Sequence, residues 1–172
     1  KDIAVDRIAS AKFPRLKYDD VMEKYDTDKP DLRYELELVT LTDVIYKTGI
    51  RIFTAAIDNG GVVRGLVAPG CAEYSRKDLD SLVNFVQTRG GEGLVYIALD
   101  KKMDDINNLK MEHIRSPISR HLTTAQIIGI AKRADASPGD LILLAAGPPK
   151  LINTVMSQVR QEIAGRLGLA NP

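Results

Sequence analysis

Two histidines, one cysteine and a few adjacent carboxylates are the residues through which this sequence could do chemistry, and their spacing supports none of the familiar devices. His113 and His121 stand eight residues apart in a polar stretch, where surface or capping roles are expected. Asp104 and Asp105 could together attract a cation, but they sit in a Lys-rich run and are expected to be solvated. Cys71 follows Pro69-Gly70; a thiol becomes reactive only where a neighbour lowers its pKa, and no such neighbour is visible in the sequence, so it is expected to be a small apolar filler. There is no Walker loop, no G-x-G-x-x-G, no G-x-S-x-G elbow and no Cys/His pair at metal-ligand spacing. Gly60-Gly61 and Gly90-Gly91 suit positive φ or helix stops better than phosphate cradles. No catalytic residue and no metal ligand is therefore assigned. Basic residues remain: Arg76, Lys77, Arg115 and Arg120 are the candidates for contact with RNA phosphates, provided some of them share a face.

The elements that must position these residues are legible from Leu36 onward. "LELVTL" is strand-like, and Thr42 is placed to cap a short helix ending at Gly49. "RIFTAAI" and "VVRGLVA" flank Asp58-Asn59-Gly60-Gly61, the pattern of a β-hairpin. In "SRKDLDSLVNFVQTRGG", Ser75 and Asp78 have capping-box spacing, and Leu79, Leu82, Val83 and Val86 mark one helical face. "GLVYIAL" is a third strand, and "DKKMDDINNLKMEHIR" is expected to be an exposed loop. Ser116-Pro117 and Thr123 mark helix starts, with Ile127, Ile128 and Ala131 turned inward. "DLILLAA" is a fourth strand, and Pro148-Pro149 opens a last helix carrying Ile152, Val155, Met156, Val159 and Ile163. The expected fold is α+β: a mostly antiparallel four-stranded sheet with helices on one face. Before Leu36 the apolar positions have no long period; a short helix is expected at Tyr18–Tyr25, with Pro14 and Pro30 as breakers.

A chain of 172 residues suits one domain with an appendage, and 44% hydrophobic with 27% charged residues is an ordinary globular composition. A formal net charge of +1 is too small for general adhesion to nucleic acid or anionic lipid. No run of about 18 apolar residues occurs, so no membrane association is expected. A single cysteine allows no internal disulfide and fits a reducing, cytoplasmic compartment. A chain opening on Lys1 in mid-pattern is expected to be a piece of something longer.

"FPRLKYDDVMEKYDTDKPDLRYELELVTLTDVI" resembles the stretch of bacterial-type aspartyl-tRNA synthetases that leaves the class II catalytic domain and enters its inserted domain. "APGCAEYSRKDLDSLVNFVQTRGGEGLVYIAL", "SPISRHL" and "PGDLILLAAGPPKLINTVMSQVRQEIAGRLGL" agree in order, so the resemblance runs from about Phe13 to Leu169. It implies a GAD domain with a DCoH-like fold at 36–169, a remnant of the catalytic domain with the joint at 1–35, and a tail at 170–172. It also implies that Asp28, Lys29, Asp31 and Arg33 lie at the joint, near the parent active site, where charge-assisted hydrogen bonds could pin the exiting chain.

The family resemblance further implies a parent enzyme that uses ATP and Mg²⁺ to form aspartyl-adenylate, charges tRNA and dimerises through its catalytic domain. The motifs that bind ATP and aspartate lie outside this stretch. The chain itself is expected to hold no cofactor, to be inactive and monomeric alone, and to work beside the rest of the catalytic domain and tRNA. Two rival readings are a GAD adaptor in a glutamyl-tRNA amidotransferase subunit and a stand-alone module that binds a small ligand.

Overall fold

Burial along one strand decides the architecture. In Leu141–Gly147, the side chains of Leu141, Leu143 and Ala145 enter one apolar cluster, and those of Ile142, Leu144 and Ala146 enter another. Successive strand side chains point to opposite faces, so this strand is covered on both.

The computed structural model describes residues 17–25 and 36–169. In chain order these are helix α1 (Tyr18–Tyr25), strand β1 (Leu38–Thr40), helices α2 (Thr42–Tyr46) and α3 (Arg51–Asp58), strand β2 (Val62–Ala68), helix α4 (Arg76–Gln87) and strand β3 (Val95–Leu99). Two single 3₁₀ turns, Ile106–Asn108 and Met111–His113, lead into strand β4 (Ile114–Arg115). A third turn, Ser119–His121, precedes helix α5 (Thr124–Ala134), strand β5 (Leu141–Gly147) and helix α6 (Pro149–Arg166). The strands form one sheet in the order β1-β2-β5-β3-β4, and every neighbouring pair is antiparallel.

One face of the sheet is covered by α4, through Leu79, Leu82 and Val86, and by α6, through Ile152, Val155, Met156, Val159 and Ile163. The other is covered by α2 (Ile45), α3 (Phe53) and α5 (Ile127, Ile130 and Ala131). Each of the larger of these side chains contributes roughly 1.5–3 kcal/mol on burial. The α+β class and the antiparallel pairing agree with expectation. Helices confined to one face and a count of four strands do not. The near-continuous apolar runs of β2 and β5 mark strands buried on both faces.

Residues 51–57 depart from the expected strand. They form α3, not the first strand of a hairpin, because Phe53 and Ile57 fall on the buried side while Ile52 and Ala55 face outward. Asn59-Gly60-Gly61 ends this helix: the Gly60 N–H donates to the Ile57 carbonyl (2.9 Å), the Gly61 N–H donates to the Ala56 carbonyl (2.9 Å), and Gly60 has φ +82°. This is a Schellman stop, built from the same residue types that favour a two-residue hairpin turn. The strand-like "LELVTL" does supply a strand, β1, and the unexpected strand is Ile114–Arg115.

Two smaller differences share that logic. Thr42 does not cap α2; its hydroxyl accepts from the Val63 N–H (3.0 Å), because β1 runs straight into the helix and aims the side chain at β2. The polar stretch before β4 is anchored, with Met103 and Leu109 buried in the α5 face. The expected capping boxes are present: Ser75 with Asp78 on α4, and Thr123 with Gln126 on α5. Pro149 occupies the first turn of α6.

Candidate functional surface

The joint candidates Asp28, Lys29, Asp31 and Arg33 lie outside the described residues. The basic candidates are distributed as follows. Arg76 and Lys77 are exposed on the first turn of α4. Arg115, on the short edge strand β4, reaches across to the loop before α4, where its Nη2 donates to the carbonyls of Ala72 (2.8 Å) and Tyr74 (2.6 Å). Its guanidinium is a loop clamp, so it brings β4 to the loop that leads into Arg76 and Lys77. Arg120 is exposed in the turn after β4.

The clamp borders a cleft of about 370 Å³ between the loop before α4 and the β3–β4 connection. Ala72 and Ala98 are buried in its wall, while Lys101 bonds to Glu73 across it at 2.9 Å. His113 also lines the cleft. Its Nδ1 accepts from the Lys110 N–H (3.2 Å), which leaves the proton of the neutral ring on Nε2, 3.7 Å from Glu112 Oε1. Asp140 joins the neighbouring loops, accepting from Gly70 N–H (3.0 Å) with one oxygen and from Ser137 N–H (2.9 Å) with the other. Cations and carboxylates here are spent mainly on each other and on backbone. The residues that line the cleft include no serine, threonine or cysteine.

The remaining sequence candidates are spread over separate parts of the fold. Asp105 caps the 3₁₀ turn through the Asn107 N–H (2.7 Å), and His121 is exposed. Cys71 is buried in the α4/α6 core, where burial pushes its thiol pKa up. Tyr74, beside it, is pushed up to about 12, first by burial and then by its hydrogen bond with Cys71. Among the described residues, no group of three His, Cys, Asp or Glu side chains is close enough to hold a metal ion, and no helix is long and apolar enough to cross a membrane.

Two buried cations stand outside the residues that the sequence singles out. Arg64 on β2 and Arg160 on α6 are both buried on the α4/α6 face, beside the incoming chain. Arg64 Nη1 donates to Thr40 Oγ1 on β1, and Arg160 Nε donates to the Leu36 carbonyl. The signal was present: Arg64 interrupts "VVRGLVA", and Arg160 sits four residues after Met156 on the buried stripe of its helix.

Comparison with known proteins extends this picture. Residues 53–156 match the family model described as the GAD domain. The chain is 38% identical over 160 residues to an aspartate–tRNA(Asp/Asn) ligase of Dehalococcoides mccartyi, an alignment covering 93% of this chain and 27% of that protein. It is 39% identical over 160 residues to the aspartate–tRNA(Asp/Asn) ligase of Symbiobacterium thermophilum, covering 93% of this chain and 26% of that one. An aspartate–tRNA ligase of Ruminiclostridium cellulolyticum is 34% identical over the same length, with 93% and 26% covered. The chain thus spans about a quarter of the length of the relatives it matches.

Proposed function

The chain belongs to the GAD domain family, and on that footing we propose that it serves as the inserted, accessory module of an aspartate–tRNA ligase. The observation that carries this reading is the extent of the similarity: the ligases align over 160 residues, well beyond the 53–156 match. A GAD adaptor of an amidotransferase subunit would share the domain without requiring ligase similarity in the flanking residues. In this reading residues 36–169 are the module, 1–35 the joint to the catalytic body, and 170–172 a tail.

The whole enzyme would join aspartate to the α-phosphate of ATP, release pyrophosphate and pass the aspartyl group to tRNA. Mg²⁺ would there neutralise phosphate charge, and this chain contributes no step to that chemistry. Its part is to present a folded surface next to the catalytic body and the tRNA, with Arg76 and Lys77 as its phosphate-facing cations. Alone it is a monomer without activity; the parent is a cytoplasmic homodimer.

A domain exchange tests the proposal. In the D. mccartyi ligase, the region aligned with residues 36–169 is replaced by this chain's, and a second variant carries a short linker instead. The expected result is tRNA charging by the exchange variant well above that of the linker variant, with aspartate-dependent pyrophosphate exchange retained in both. A folded exchange variant that charges tRNA no better than the linker variant overturns the reading. The 172-residue chain should itself show no pyrophosphate exchange.

A further inference from the structure

The incoming chain at residues 36–40 is fastened to the helical face from beneath. Leu36 and Leu38 are buried in the same cluster as Val155, Met156, Val159 and Ile163 of α6. Arg160 is 1% exposed and Arg64 5%. A guanidinium removed from water requires fixed acceptors, because its charge cannot be shed by deprotonation. The Leu36 carbonyl is one such acceptor for Arg160, and the Thr40 hydroxyl is one for Arg64. Thr40 and Arg64 are also register partners across the β1–β2 ladder, so side chain and backbone hold the same point.

Outward of this, Lys24 of α1 bonds to Glu37 at 3.0 Å, Val21 is buried, and α1 packs on β1. Glu37 lies between Leu36 and Leu38, so the residue that receives α1 is flanked by two residues held in the core.

We propose that Arg160 and Arg64 are positioning residues that fix residues 36–40 rigidly against the helical face, so that α1, β1 and α6 move as one body and displacement of α1 is transmitted to α6. Surface ion pairs alone would not do this: the Lys24–Glu37 pair is half-exposed, and such pairs hold orientation weakly. The buried clamp behind it is what removes the freedom. The proposal does not depend on the ligase reading, since it concerns only contacts within this chain.

The test measures rigidity apart from stability. Spin labels are placed at the exposed positions Asp20 on α1 and Gln161 on α6, in a Cys71→Ala background, and the inter-label distance distribution is recorded by pulsed dipolar spectroscopy. The unclamped variants are Arg160→Gln and Thr40→Val; Val155→Ala is a control that weakens the same core without touching the clamp. A narrow distribution is expected for the background chain and for Val155→Ala, and a broadened one for both unclamped variants. Amide exchange at Leu38–Thr40 should rise about tenfold in the unclamped variants while Ile142–Leu144 stays unchanged, since exchange reports local opening. Should Arg160→Gln fail to fold, Thr40→Val carries the test alone. A broad distribution in the background chain, unclamped variants as narrow as it, or equal broadening in Val155→Ala each overturns the proposal.

Discussion

Arg133 on α5 grips Asp43 on α2 with two parallel bonds, Nη1 to Oδ1 at 3.1 Å and Nη2 to Oδ2 at 2.8 Å, and so joins helices 90 residues apart in the chain. The fork geometry suits a planar guanidinium and a carboxylate, and a lysine could not reproduce it. The hydrogen bond from Arg133 is the main reason that the Asp43 carboxyl titrates below its usual 3.8.

A folded pKa below the unfolded one means that this pair stabilises the fold fully above about pH 4 and loses its effect as pH falls through the lower, folded value. Urea midpoints of the parent and of Asp43→Asn should therefore differ at neutral pH and converge in strong acid. A difference that persists unchanged to acid pH would mean that Asp43 acts by packing. Both side chains are about half-exposed, so added salt should narrow the neutral-pH difference.

Tyr74 gives the opposite sign. Its folded value of about 12 lies above the ordinary 10, so the neutral phenol is what the fold favours. That stabilisation is complete below about pH 10 and disappears as pH rises toward 12. Phenolate absorbance in Tyr74→Phe should lack the latest-titrating tyrosine of the parent. Loss of an earlier component would place Tyr74 in water.

Gly61 is required by backbone contact. A Cβ there would stand 2.6 Å from the Ala56 carbonyl oxygen and 2.8 Å from that of Gly147, neither of which can swing aside. Gly61→Ala should cost about 1–3 kcal/mol, in the range of strained-site substitutions. Calorimetry checks this, and a midpoint shift of less than a degree would show that the α3–β2 corner yields easily.

Asp135 ends α5 at φ +56°, the one described non-glycine residue with positive φ. Glycine adopts that conformation without the Cβ penalty, so Asp135→Gly should be neutral or stabilising by up to about 1 kcal/mol. Asp135→Val should be clearly destabilising, because a β-branched residue fits that region worst. The two denaturation midpoints moving in the same direction would contradict the cap argument.

The boundaries of α4, α5 and α6 were legible because their signals are local: a capping box or a proline at the start, a periodic face, a stop. Residues 51–61 were misjudged because a seven-residue apolar run has no decisive period, and Asn-Gly-Gly serves a helix stop as well as a turn. Ile114–Arg115 carries too little sequence to be recognised as a strand; it pairs because Arg115 is drawn to Ala72 and Tyr74. Distance in sequence also hid the bond from Arg160 to the Leu36 carbonyl, 124 residues away. A buried cation can be suspected from its apolar neighbours, but its acceptor is a product of the tertiary fold.

The order β1-β2-β5-β3-β4 has a consequence for synthesis on the ribosome. As the chain emerges, β1 with β2 and β3 with β4 can close as two separate ribbons, each leaving one long unpaired edge. Only when residues 141–147 appear does a strand exist that fits between them, and it completes seven pairs with β2 and four with β3. Such late, distant pairing slows folding. It also spares the cell a hazard: "LILLAAG", the most apolar strand and the one most apt to adhere to other nascent chains, is made when both of its partners already wait and α6 follows directly behind to cover it.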